Sequence, residues 1–391
     1  MKKLLLLTAI LIVFSLTLVS ATGEKAASGK EPYKIGAVLD VTGSASSLGD
    51  PEKITLEMLV EEINAKGGIN GHPLELILYD NEGDEAKSLT KVKRLIEADK
   101  VAAILGTSQS GTTMAIVPTV MAAQIPLVSC AASWKIIKDP ETKETRKWIF
   151  KTPQSDSLAV SKIFEYCNKN KISKIAIITV SNGYGDSGRA ELKRLAPEYK
   201  IEIVADERYG AADLDMKAQL TNIKGKDAQA VICWAVPQQG AGTVAKNAKE
   251  LAMTQQIIMS HGVANKKFID LAGDAAEGVV LPSGRLIVAE QLGAKDPQKK
   301  LLLDYRKKFE EKAKYPASTF GGHAYDALEI LVNALKKAGT DPNKLRDELE
   351  KTKNFVGTAG VFNMSPTDHE GLTKDAFVMV KIEKGNWVLL K

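Results

Sequence analysis

Short apolar runs alternate with amphipathic ones from residue 33 almost to the end of the chain. No other feature restricts the fold as much. Residues 33–39 form an apolar run that closes on Asp40, and a small-residue loop through Thr42-Gly43-Ser44-Ala45 leads to helical spacing over 51–66. Gly67-Gly68 stops that helix, and 74–79 is apolar again. Helix 85–99, strand 102–105, helix 112–124 and strand 127–129 continue the rhythm. This is the pattern of a parallel sheet with helices on both faces. A second block follows, with helices over 155–170, 187–195, 215–224 and 240–251 and strands over 175–180, 201–206, 230–233 and 256–259. Two blocks of similar size predict two lobes of similar architecture. Strand 277–281 then leads through Pro282-Ser283-Gly284 to helices 298–312 and 325–337, and short strands are predicted at 357–362, 377–383 and 387–390.

The first 21 residues read as an export signal. Lys2 and Lys3 precede an apolar core over 4–19, and Val19-Ser20-Ala21 is a small-residue cleavage site. Cleavage near Ala21 predicts a periplasmic protein of about 370 residues, long enough for two domains. Removing the two lysines lowers the net charge from +5 to +3. The remaining lysines interleave with acids, so no basic patch argues for nucleic acid. The three cysteines, Cys130, Cys167 and Cys233, cannot all pair and read as buried free thiols; spacing gives a Cys167–Cys233 bridge no support.

Residues that could bind a solute fall in loops behind strands. Gly106-Thr107-Ser108-Gln109-Ser110-Gly111 leaves a parallel strand and opens a helix. A helix start there offers unpaired N–H groups and a positive dipole end, hence an anion site with Ser110 adding a hydroxyl. The alternative is that Ser108 and Ser110 only cap the helix. Ala131 and Ser133 follow the next strand. In the second block, Gly183, Gly185 and Gly188 spell G-x-G-x-x-G and Asp206 follows on the next strand, the spacing of a dinucleotide-binding unit. An exported nucleotide-binding enzyme is therefore a rival reading. Enzymatic motifs are otherwise missing from the sequence. His72, His261, His323 and His369 are scattered without metal spacing, and no nucleophile elbow or P-loop occurs. His323 reads as a packing or surface residue.

Taken in order, the 33–79 segment, the turns at 106–113 and 128–134, the Tyr184-Gly185 pair and the 259–265 segment resemble the type I periplasmic solute-binding proteins, the branched-chain amino acid (leucine/isoleucine/valine) binding family. The resemblance spans about 34–387. It implies an α/β fold of two doubly wound parallel-sheet lobes joined by a three-segment hinge. Lobe one would hold 31–151 with 284–353, and lobe two 152–283 with 354–391. It implies a monomeric substrate-binding subunit of an ABC importer, with a membrane permease as partner and neither cofactor nor catalysis. A sensor subunit serving a receptor would need a partner of its own. The resemblance also implies site roles. Ser110 would anchor a ligand carboxylate beside Gln109, with Ala131 and Ser133 at the head group. Tyr184 would cover the ligand from lobe two, with Trp234 at the cleft edge and Leu48 where some members carry an aromatic. His261 stands where amino-acid binders of the family usually place an acid for the ligand's ammonium. Two ligand classes follow. One is a branched-chain or other amino acid, with Asp186 or another acid reaching the amine; the other is an aromatic or other organic carboxylate without an amine.

Overall fold

The computed structural model describes residues 30–390; the expected export signal at 1–21 lies outside the described residues. The first block runs β1 (Tyr33–Leu39), α1 (Ser46–Ala65), β2 (Leu74–Asp80), α2 (Glu85–Arg94), β3 (Ile104–Gly106), α3 (Ser110–Ala123), β4 (Leu127–Ser129) and β5 (Ile149–Lys151). Its strands form one parallel sheet in the order β2-β1-β3-β4-β5. Side chains of alternate strand residues point to opposite faces. Ile35, Ala37 and Leu39 accordingly pack into one buried cluster with Leu56 and Leu59 of α1, while Val38 joins Ile104, Leu127 and Ile149 in another against α2 and α3.

The second block runs α4 (Asp156–Lys169), β6 (Lys174–Val180), α5 (Gly183–Leu195), β7 (Glu202–Tyr209), α6 (Lys217–Lys224), β8 (Ala230–Trp234), α7 (Gln238–Glu250), β9 (Gln256–Met259), α8 (Lys266–Ala272) and β10 (Val280–Ser283). The chain then forms α9 (Lys299–Ala313), α10 (Thr319–Ala338), α11 (Pro342–Glu350), β11 (Phe355–Val356), β12 (Val361–Phe362), β13 (Val378–Glu383) and β14 (Asn386–Leu389). The second sheet has the order β14-β13-β10-β9-β8-β6-β7. β6 to β10 are parallel, and the β13–β14 hairpin adds to β10 antiparallel. Helices cover both faces here too: α4 and α5 on one, α6, α7 and α8 on the other. Cys130, Cys167 and Cys233 are buried and free. Among the described residues no helix is long and apolar enough to cross a membrane.

The tail differs from expectation. β11 and β12 pair only with each other, and Phe362, Met364, Leu372 and Ala376 pack into the first-sheet core with Ala324, Leu328 and Leu331 of α10. The apolar residues of 355–376 had nearer partners on α10 than on the second sheet. Phe377 is the first tail residue to join the cluster of the second block, so the chain leaves the first-sheet core at 376–377 rather than at the expected boundary between 353 and 354.

At the crossings, polar groups are buried and paired. Lys151, wholly buried at the end of β5, lies 3.4 Å from Glu370 Oε1. The same carboxylate accepts the Ser155 N–H at 2.6 Å and the Ser155 hydroxyl. Gln154 Nε2 donates to the Ala359 carbonyl at 2.7 Å, tying the first crossing to the returning tail. Burial pushes the Lys151 pKa down and that of Glu370 up, each opposed by the other's charge. Removing one member of such a pair leaves an uncompensated buried charge. Glu370→Gln is expected to destabilise the protein by about 3–5 kcal/mol, and adding Lys151→Met to recover most of that. Urea denaturation of both variants measures this; a loss under about 1 kcal/mol for the single variant would match an exposed pair and refute the assignment.

Candidate functional site

Ligands of open α/β sheets bind beyond the carboxyl ends of the strands. One cavity occupies that place for both sheets at once. Its wall follows strand after strand: Leu48 after β1, Ser108, Gln109 and Ser110 after β3, Pro153 and Gln154 after β5, Tyr184 after β6, His261 and Gly262 after β9. The first turn of α10 and Phe377 complete it. The space between atoms there is about 470 Å³, part of it continuous with solvent, and about 30 Å³ admits the centre of a water molecule.

Helix α3 begins at this cavity, and its cap is the informative part. Gln109 precedes it in extended conformation, and no side chain caps it. Ser108 is engaged elsewhere: its hydroxyl donates to Glu52 and accepts the Asp40 N–H at 3.1 Å. Ser110 Oγ accepts the Ser133 N–H at 3.2 Å, which leaves its own proton for the cavity. The capping alternative for Ser108 and Ser110 is thereby excluded. A 14-residue helix presents uncapped first-turn N–H groups and its positive dipole end to an enclosed space.

The second lobe closes over this corner. A Cβ on Gly183, at the start of α5, would lie 2.9 Å from Gly111 Cα and 3.0 Å from Gly111 N. Only glycine allows so close an approach of two backbones. Ser133 Oγ meets Ser187 Oγ at 2.6 Å, and Ser47 Oγ donates to Gln238 Oε1 at 2.5 Å. Pro51 lies inside α1 and has no N–H for the carbonyl four residues back. That carbonyl, on Ser47, instead accepts Asn265 Nδ2 from across the cleft at 3.1 Å.

Five of the eight residues singled out in the sequence line the cavity: Leu48, Gln109, Ser110, Tyr184 and His261. Three do not. Ala131 packs into the core beneath α3, and Ser133 spends its hydroxyl on Ser187 and the Lys135 N–H. Trp234 is fully buried behind Tyr184, with ring centroids 5.6 Å apart, so it supports the wall without forming it. Asp186 is also corrected as a partner for an amine, because it is exposed and paired with Arg208. His323, read as a packing or surface residue, lines the cavity from α10, as do Thr319 and Phe320. These contacts form between distant segments, and no local spacing announces them.

The glycine motif has packing reasons. Gly183 meets Gly111, a Cβ on Gly185 would strike the Val180 carbonyl at 1.8 Å, and one on Gly188 would strike the Trp234 indole at 2.1 Å. Asp206, the expected ribose ligand of the rival reading, is held by Arg189 at 2.6 and 2.7 Å and by Lys193 at 2.9 Å.

The cavity wall contains no Asp, Glu, Lys or Arg. The nearby acids Asp40 and Glu52 sit behind it, hydrogen-bonded to Gln109 and Ser108 respectively. Burial pushes the Asp40 carboxyl up to about 6 and that of Glu52 well above its usual range. Burial likewise lowers His261 to about 3, with help from the nearby His323 and Lys151, and lowers His323 to about 3. Both imidazoles are neutral at physiological pH. His261 Nε2 and His323 Nδ1 have no hydrogen-bond partner.

The sequence profile of the periplasmic binding proteins matches residues 32–386. The chain belongs to the periplasmic binding protein family. This periplasmic binding protein is 26% identical over 321 residues to the leucine-, isoleucine-, valine-, threonine- and alanine-binding protein of Pseudomonas aeruginosa, covering 82% of each chain. An extracellular ligand-binding receptor from Rhodopseudomonas palustris HaA2 superposes with a TM-score of 0.84 at 26% identity, covering 93% of this chain and all of the other. The branched-chain amino acid transporter substrate-binding protein of Streptococcus pneumoniae, solved with isoleucine, gives a TM-score of 0.79 at 27% identity, over 92% and 100% of the two chains. Two lobes of type I architecture are common to these structures and to this periplasmic binding protein.

Two outcomes follow. Gly183→Ala should hold the lobes apart, so that solute affinity falls by about tenfold or more and small-angle scattering finds the variant more extended than the parent. The His261 and His323 ring protons should not shift in NMR spectra between pH 8 and 5. Because both folded pKa values are depressed, these histidines stabilise the protein above the unfolded value near 6.5. That contribution is lost as pH falls from there toward about 3.

Proposed function

We propose that this protein is the extracytoplasmic substrate-binding subunit of an ABC importer and captures a small carboxylate-bearing solute by closure of its lobes. The carboxylate sits at the first turn of α3, takes its N–H groups and the Ser110 hydroxyl, and is covered by Tyr184 as lobe two descends. The observation that carries this reading is the uncapped α3 start facing an enclosed cavity at the meeting of both sheets. Family membership and the names of the relatives supply the transport role. A monomer docks on a membrane permease through the outer faces of its lobes.

Of the two ligand classes, the cavity wall favours the organic acid without an amine. A buried ammonium needs an anionic partner, and no carboxylate lines the cavity. The relatives named for branched-chain amino acids favour the other class.

Thermal-shift measurements with amino acids beside benzoate- and hydroxycinnamate-type acids test this choice. Stabilisation by the acids and not by leucine or valine is expected; the reverse would return the protein to the amino-acid binders. Ser110→Ala should weaken any bound acid by about 1–3 kcal/mol in calorimetric titration. An unchanged affinity would remove the α3 corner from the site.

A further inference from the structure

His261 has one ring nitrogen still to satisfy, and the hydrogen bonds around it decide what can satisfy it. The Tyr184 hydroxyl accepts the Gly262 N–H at 3.0 Å and lies 3.3 Å from His261 Nδ1. The hydroxyl keeps one proton to place, and His261 Nδ1 is an acceptor within its reach; we take that proton as given to Nδ1. A neutral imidazole with an accepting Nδ1 carries its proton on Nε2. Nε2 is buried without a partner in a residue only 7% exposed. The ring is wedged edge-on among Tyr184, Trp234 and Phe377, with centroids 5.6, 5.7 and 5.3 Å away, so it has no room to turn the N–H aside. Its second neighbour on the wall, His323, is likewise uncharged.

Ser110 and His261 face the same confined space. Tyr184 links them, since it follows Gly183 against the α3 start and reaches His261 with its hydroxyl. Both lie on the wall of one cavity, so a solute that fills it meets both. An ammonium offers only donors and would meet the His261 donor head-on. An oxygen with a lone pair would satisfy it. Resting on the carboxylate reading above, we propose that the solute carries an uncharged acceptor oxygen beside its carboxylate, as in a 2-oxo or 2-hydroxy acid, and that this oxygen accepts the His261 Nε2–H.

The test uses two matched series in calorimetric titration of the purified protein. One is pyruvate, lactate, propanoate and alanine; the other is 4-methyl-2-oxopentanoate, 2-hydroxy-4-methylpentanoate, 4-methylpentanoate and leucine. Within each series only the substituent beside the carboxylate changes. In at least one series the oxo or hydroxy acid should bind about tenfold or more tighter than both the unsubstituted acid and the amino acid, and the stronger of the two identifies the acceptor. His261→Phe, which keeps the aromatic packing and loses the N–H, should abolish the preference. His261→Gln, with an amide N–H, should retain part of it, and Ser110→Ala should weaken all acids alike. Equal binding of the oxo, hydroxy and unsubstituted acids would overturn the inference and leave the carboxylate reading standing. Tighter binding of alanine or leucine would overturn the acceptor assignment and the amine-free choice of ligand, with the α3 anchor still judged by Ser110→Ala. Binding by no member of either series would overturn the inference, and the carboxylate reading would then be judged by the aromatic acids and by Ser110→Ala.

Discussion

Helix α3 starts without a side chain to satisfy its first turn, and the arrangement of the cleft depends on that omission. The hydroxyls that could have capped it are engaged elsewhere, Ser108 with Glu52 and Ser110 with the Ser133 backbone. A helix end buried without partners is costly, which favours a polar guest at this corner. The second lobe brings Gly183 against Gly111 at the same corner. A low-dielectric corner strengthens any electrostatic attraction felt inside it. The two lobes divide recognition between them. The first supplies a direction for charge, and the second supplies a neutral, aromatic-rimmed lid.

Among the described residues no acidic or basic side chain lines this cleft. Burial keeps His261 and His323 uncharged, and the acids behind the wall are engaged with the residues that form it. The uncapped starts of α3 and α10 both reach the cavity, and a helix start favours anions. Relatives named for branched-chain amino acids share the fold at 26–27% identity. Such distance leaves ample room for a few wall residues to change what is bound while the sheets stay the same.

The doubly wound sheets were legible because parallel strands buried on both faces read as continuous apolar runs, as 175–180 and 230–233 do. The strand-end loops were legible too, and with them Ser110, Tyr184 and His261. Helix starts were less so. Helix α1 begins at Ser46 and α5 at Gly183, several residues before the spacing predicts, because tertiary contacts hold residues that local preference leaves out. Segment 355–376 was misplaced for a related reason: its apolar residues announce burial but not which core receives them. His323 and Thr319 reach the cavity from a helix more than a hundred residues beyond α5. Trp234 illustrates the opposite error, since a large aromatic at a strand end reads as a contact when it is the backing of one.

Pro51 makes a backbone oxygen available between the lobes. By withholding an amide hydrogen one turn into α1, it frees the Ser47 carbonyl for Asn265 of the opposite lobe. Water could serve that oxygen as well, and exchanging a water for an amide is worth only about 0.5–1.5 kcal/mol. Such a latch orients the lobes when they meet without committing them to meet. The contact therefore sets the angle at which the two lobes meet along this edge and adds little to the strength of their meeting.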